Sequence, residues 1–219
     1  MSVIATARWD LLWTSVGLKA VMAVSGAVLS GWVLLHMAGN LLVFGGPELI
    51  NGYAAALSSG PIVWAQRVVT IVAVAAHAGA ALVLVQRSHG ARTDRYRRPL
   101  RNQETTFSAR SMRWGGLFVL LFLVYHLVHI YGPLHVSYVP GDVHHNLVAG
   151  LSDPLAAAIY IAAAVVFGLH LHHGTTSLFR SLGHARLFET GIRRAARAFT
   201  VVVTLGFLAP CVAALAGWL

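Results

Sequence analysis

Apolar and polar positions along this chain alternate in blocks of tens of residues. Five long apolar runs, near 18–44, 62–86, 113–133, 154–179 and 197–218, are separated by short polar intervals. About 20 helical residues cross the hydrocarbon core of a bilayer, and each run is long enough. In hydrocarbon every backbone N–H and C=O needs an internal partner. The runs therefore predict five transmembrane helices in an all-α bundle rather than strands. The longest polar interval, Arg87 to Met112, leaves no room for a soluble domain, so residues 1–219 are expected to form one membrane domain.

Prolines punctuate the pattern. Pro47 and Pro61 bracket the first loop, and Pro133 and Pro140 fall where the third helix should stop. Asp153-Pro154 reads as a cap followed by a first-turn proline. Pro210 lies inside the fifth run, where it favours a kink.

Composition agrees with the pattern: 57% of residues are hydrophobic and only 11% charged, with a mean hydropathy of +0.69. Soluble domains are about 25% charged. A net charge of +9 in a soluble protein would point to nucleic acid. Here the arginines lie between the apolar runs, so they read as a topology signal and nucleic acid is not an expected partner. Arg87, Arg92, Arg95, Arg97, Arg98, Arg101, Arg110 and Arg113 separate runs two and three. Arg180, Arg186, Arg193, Arg194 and Arg197 separate runs four and five, while 45–60 and 134–153 carry no lysine or arginine. By the positive-inside rule the amino terminus and the basic loops face the cytoplasm and the carboxyl terminus faces outward. The expected location is a multi-pass position in the cytoplasmic (inner) membrane, in contact with lipid. Residues Met1–Asp10 lack a short apolar core with a cleavage site, so the first span is expected to be retained. The single cysteine, Cys211, excludes an internal disulfide and a cysteine-ligated cluster. The basic face also suits docking of an acidic partner subunit.

The candidate chemistry is in the histidines. His36, His77, His126 and His170 each sit within a different apolar run. At 1.5 Å per residue, His36 lies roughly 24 Å past Ala20 and His126 roughly 18 Å past Trp114, both in the outer half. His77 and His170 each lie about 22 Å from the outer ends of their helices, in the inner half. Topology thus sorts an outer pair, His36 with His126, from an inner pair, His77 with His170. Buried imidazoles need partners, and two bis-imidazole haems supply them. Small residues near these positions (Gly31, Gly39, Ala75, Ala76, Ala78, Gly79 and Gly168) would leave gaps for a flat macrocycle, though small residues also serve helix packing. For one buried histidine an interhelical hydrogen bond is the simpler account. Four on four helices, pairing by depth, weigh against it. A metal transporter would usually carry acidic or thiol side chains within its spans.

The remaining histidines are weaker candidates. His129 follows His126 by three residues on nearly the same face and suits a haem propionate, a quinone oxygen or water. His172 and His173 lie where propionates of an inner haem would emerge. His135, His144 and His145 are read as outer-loop residues, and His89 and His184 as ordinary loop residues.

The chain resembles a known family through nearly all its length. Lys19-Ala-Val-Met22-Ala-Val-Ser25-Gly26 opens helix one, followed by His36-Met-Ala-Gly39-Asn40-Leu. Asn51-Gly-Tyr53-Ala54 lies in the first loop, Tyr125-His126-Leu-Val-His129 in helix three, and His170-Leu-His-His173-Gly174 in helix four, with Gly183 nine residues on. Together these motifs resemble the dihaem cytochrome b membrane anchor of succinate:menaquinone oxidoreductases and fumarate reductases. The resemblance implies two b-type haems ligated by His77 with His170 (proximal) and His36 with His126 (distal). His173 is an alternative to His170, and the interval to Gly174 and Gly183 favours His170. It also implies a flavoprotein subunit carrying FAD and an iron–sulfur subunit docked on the cytoplasmic face, and electron transfer from succinate to menaquinone. The expected enzyme role is that of the non-catalytic membrane subunit of the complex. Alternatives are a fumarate reductase running in reverse, or the cytochrome b subunit of another dehydrogenase. Some fumarate reductases of this type have a glutamate two residues before the helix-four ligand. Gly168 stands there in this chain, so that proton route is not expected. Candidates for a quinone site near the outer haem are His129, Tyr131 and Glu48; a site near the inner haem stays open. Trp9, Trp13 and Trp64 are read as interface anchors.

Overall fold

The computed structural model describes residues 11–91, 107–132, 134–135, 137–181, 183 and 189–219, with the side chains of 107–110 and 189 excepted. These residues fold as helices, with no strand among them. In chain order they are α1 (Ser15–Asn40), a 3-10 turn (Leu41–Gly45), α2 (Pro47–Ser58), α3 (Gly60–Gly90), α4 (Phe107–Ile130), α5 (Val143–Ser152), α6 (Pro154–Ser181) and α7 (Glu189–Leu215). Five stretches are long and apolar enough to cross a membrane: Ser15–Gly45, Gly60–Gly90, Ser111–Ile130, Pro154–Ser181 and Thr190–Leu215. The molecule is an all-α, multi-pass membrane protein.

Local chemistry sets the ends of the helices. The Thr14 hydroxyl accepts from the amide of Gly17 at 3.0 Å and starts α1. One carboxylate oxygen of Asp153 accepts from the amides of Leu155 and Ala156, both at 2.8 Å, so Asp153-Pro154 does open α6. The third span stops at Ile130, short of the expected 133, because Gly132 turns the chain with φ +101°. The fifth helix, α7, starts earlier than expected, at Glu189, runs through Pro210 and ends at Leu215. There Gly217 (φ +68°) and Trp218 return their amides to Ala214 and Ala213, a Schellman ending.

The segments expected as loops at 45–60 and 134–153 contain the short helices α2 and α5, so His144 and His145 are helical. These helices pack together at the end of the bundle opposite the arginines. Asn51 joins them: its amide donates to Asp142 Oδ1 (3.0 Å) and its oxygen accepts from the amide of His144 (2.9 Å). Asp142 also caps α5 by accepting from the amide of His145 at 3.0 Å. The amide of His145 and the side-chain amide of Asn51 hold the Asp142 carboxyl below its ordinary range. At the basic end His89 is likewise not a loop residue. It ends α3, where Arg113 of α4 reaches His89 Nε2 (3.0 Å) and Ser88 Oγ (3.2 Å). Arg92, Arg95, Arg97, Arg98, Arg101, Arg186, His184, Pro133 and Trp9 lie outside the described residues.

Four spans outline a square in cross-section. Helix α1 packs on α3 and α6, and α6 packs on α4, whereas α3 and α4 do not pack along their lengths. Helix α7 covers α6 and part of α1 from outside, where Met37, Leu171 and Val203 form a buried cluster. The two diagonals of the square, α1 to α4 and α3 to α6, join helices whose backbones stay apart. The candidate site lies on them.

Candidate functional site on the bundle diagonals

The histidine-bearing helices present their imidazoles in two pairs. The His36 and His126 rings stand 5.9 Å apart across the α1–α4 diagonal, at 79°. The His77 and His170 rings stand 6.2 Å apart across the α3–α6 diagonal, at 69°. The two levels are about ten residues apart along α1, from Gly26 beside His77 to His36, which is about 15 Å of helix. Gly116 beside His170 and His126 are separated by the same ten-residue interval on α4, also about 15 Å.

Each level has its own surroundings. Near the basic end, His77 Nδ1 lies 3.0 Å from the carbonyl oxygen of Met22 and 3.4 Å from Ser25 Oγ. A carbonyl only accepts, so Nδ1 carries the hydrogen and Nε2 keeps its lone pair. Glycines border both rings: a Cβ on Gly26 would press on His77 Cε1 at 3.1 Å, and one on Gly116 would make ordinary contact with His170 Cε1 at 3.5 Å. His170 Nδ1 is buried without a partner among the described residues, as are Thr200 Oγ1 and Thr204 Oγ1. An unsatisfied buried polar group costs about 1–3 kcal/mol, so the His170 ring is not held by a hydrogen bond to the described residues in the way His77 is.

At the other level the surroundings are aromatic. Trp32 stacks on His36 (5.7 Å, 27°), Phe207 flanks it at 6.1 Å, and Phe122 stacks on His126 (5.7 Å, 27°). Tyr160 Oη lies 3.0 Å from Nδ1 of His126 and 3.0 Å from Nδ1 of His129. His129 is buried, with the His135 ring 5.2 Å away.

The pairs fit a porphyrin-bound iron. Two imidazoles bound to opposite sides of one first-row metal, each nitrogen about 2.0 Å from it, place their centroids roughly 6 Å apart. Edge contact between rings gives a similar spacing. The donor chemistry adds what spacing alone lacks: His77 has its Nδ1 hydrogen engaged and its Nε2 lone pair free, the arrangement of a metal-binding imidazole. Among the described residues no group of three or more His, Cys, Asp or Glu is arranged to hold a metal ion. A pair of imidazoles is the number an iron takes when its other four ligands come from a macrocycle.

The other sequence candidates are placed differently. His129 joins the His126 level through Tyr160, whereas Tyr131 is exposed beyond the end of α4 and Glu48 is exposed in the first turn of α2. Of the small residues expected around the histidines, Gly31 and Gly79 face open space, Gly39 faces Tyr53 and Gly168 faces Thr204. The glycines facing imidazoles are Gly26 (His77), Gly116 (His170) and Gly150 (His129 and His135). Sequence reasoning also passed over Tyr160 and Arg67. Arg67 lies within the second span, where its guanidinium covers the Trp64 ring at 5.2 Å; an arginine inside an apolar run is a readable signal.

Comparison with known proteins gave no match: no family model, no curated sequence and no solved structure.

Proposed function

We propose that this chain is a haem-carrying electron-transfer subunit of a membrane oxidoreductase. Within that class, the family motifs favour the dihaem anchor of a succinate:menaquinone oxidoreductase. The observation that carries the class is the placement of four imidazoles as two facing pairs, one on each diagonal of a four-helix square. His77 and His170 would hold one b haem and His36 and His126 the other. When bound, such haems take up and release single electrons.

The chain's own part is physical. Carbonyl Met22 and hydroxyl Tyr160 orient two of the ligands, Gly26 and Gly116 leave room for the rings, and the aromatic side chains around His36 keep water out. The basic end, with Arg87, Arg113, Arg180, Arg193, Arg194 and Arg197, faces the cytoplasm in this reading and docks the flavoprotein and iron–sulfur subunits. Menaquinone would bind at the opposite end, beside His129.

A reduced-minus-oxidised spectrum of membranes containing the chain tests the class: two b-type haems are expected, and none would defeat it. Reduction of those haems by succinate in the isolated complex tests the narrower assignment. A complex that is reduced only by formate or hydrogen would replace succinate dehydrogenase with another partner enzyme.

A further inference from the structure

We infer that Tyr160 is a positioning residue that ties His126 to His129 through a hydrogen-bonded bridge of fixed direction; this rests on the haem reading above. The Tyr160 hydroxyl sits 3.0 Å from Nδ1 of each imidazole. The Tyr160 ring is itself held by Phe122, at 5.1 Å and 88°. A hydroxyl has one hydrogen, so it donates to one ring and accepts from the other.

In the protein alone the two 3.0 Å distances permit either direction. Ligation of His126 through Nε2 removes the choice. The hydrogen of His126 must then be on Nδ1, where it donates to Tyr160 Oη, and the Tyr160 O–H donates to Nδ1 of His129. The remaining hydrogen of His129 is left on Nε2. Binding at His126 thus selects the tautomer of a residue one helical turn away. His135 does not reverse this. Its Nδ1 accepts from the amide of Ser137 at 3.2 Å, so its own hydrogen is on Nε2 and goes to the carbonyl of Asn146 at 2.6 Å.

The bridge has a consequence for the bound group. Donation from Nδ1–H makes an axial imidazole a stronger electron donor and favours the oxidised iron. Passing the Tyr160 hydrogen on to His129 strengthens the hydroxyl as an acceptor, because linked hydrogen bonds polarise one another. Among the described residues no hydroxyl links His77 to a second imidazole: its Nδ1 meets the Met22 carbonyl at 3.0 Å and Ser25 Oγ at 3.4 Å.

The test is a redox titration of the two haems in membranes containing the full chain, with Tyr160→Phe, His129→Ala and the double variant. Tyr160→Phe keeps the aromatic ring and removes only the hydroxyl. It should raise the midpoint of one haem, or cost that haem alone, while the other titrates unchanged. His129→Ala should raise the same midpoint by less, and should add nothing in the Tyr160→Phe background. Both haems unmoved, both moved equally, or a His129→Ala shift undiminished in the double variant would overturn the bridge. If Tyr160→Phe fails to accumulate, His129→Ala decides: a shift in one haem supports the bridge and no shift overturns it. Failure of the haem reading is distinguishable, because it would show as absent haem in the unsubstituted chain.

Discussion

The two histidine levels use the same pair of side chains in unlike settings. Near the basic end, His77 is oriented by a main-chain carbonyl and both rings are bordered by glycine. At the other level, His126 is oriented by a tyrosine hydroxyl and both rings are flanked by aromatic side chains. A main-chain acceptor is fixed by the fold of α1 and survives any substitution at Met22. A tyrosine acceptor is one substitution from removal. The basic-end level is therefore oriented by the main chain and the far level by a side chain, and two haems bound there as proposed are expected to differ in potential.

The comparison breaks most directly at the ligands. His126→Ala should remove one of two b haems and spare the other, halving the haem content of purified chain. Loss of the His77/His170 haem alone would show that the pairs are misassigned. Next in size is Gly26→Leu, whose side chain must displace the His77 ring. It should lower occupancy of the basic-end haem several-fold without affecting the other, as read from the same spectrum. Equal loss of both would mean that the two levels are not separately defined.

Smaller effects are expected at the far-end cap. Asn51→Ala removes two hydrogen bonds between α2 and α5 and should cost about 1–2 kcal/mol in thermal denaturation, with haem content retained. The smallest effect concerns pH. The Asp142 carboxyl is held below its ordinary range, so its contribution is full above the unfolded-chain value. It is lost as pH falls through the lowered folded value. Asp142→Asn should flatten that acid limb of the stability curve, and an unchanged limb would assign it to other groups.

The spans were readable from sequence because hydrophobic length is a property of consecutive residues. The four histidines stood out because an imidazole in an apolar run is conspicuous. What escaped notice depended on contacts between distant segments. Gly26 and Gly116 look like any glycine in a membrane helix, and only the rotation of α1 and α4 turns them toward His77 and His170. Tyr160 sits in an apolar run where tyrosine is unremarkable, and its role comes from α4 placing His126 and His129 on either side of it. The helices α2 and α5 were missed for another reason. Each is too short to give a span-length apolar run, and the Asn51–Asp142 hydrogen bond that joins them links residues 91 positions apart.

Among the described residues, α3 and α4 leave each other along most of their length and meet through Arg113 at one end, and this flank of the square bears on assembly. A scaffold with a lateral doorway need not be dismantled to be furnished. In the haem reading proposed above, insertion of the polypeptide and delivery of the haems would then be separate events, the second following in an already threaded protein. Cells starved of porphyrin would accumulate a colourless but correctly inserted chain, ready to take on colour when the supply returns.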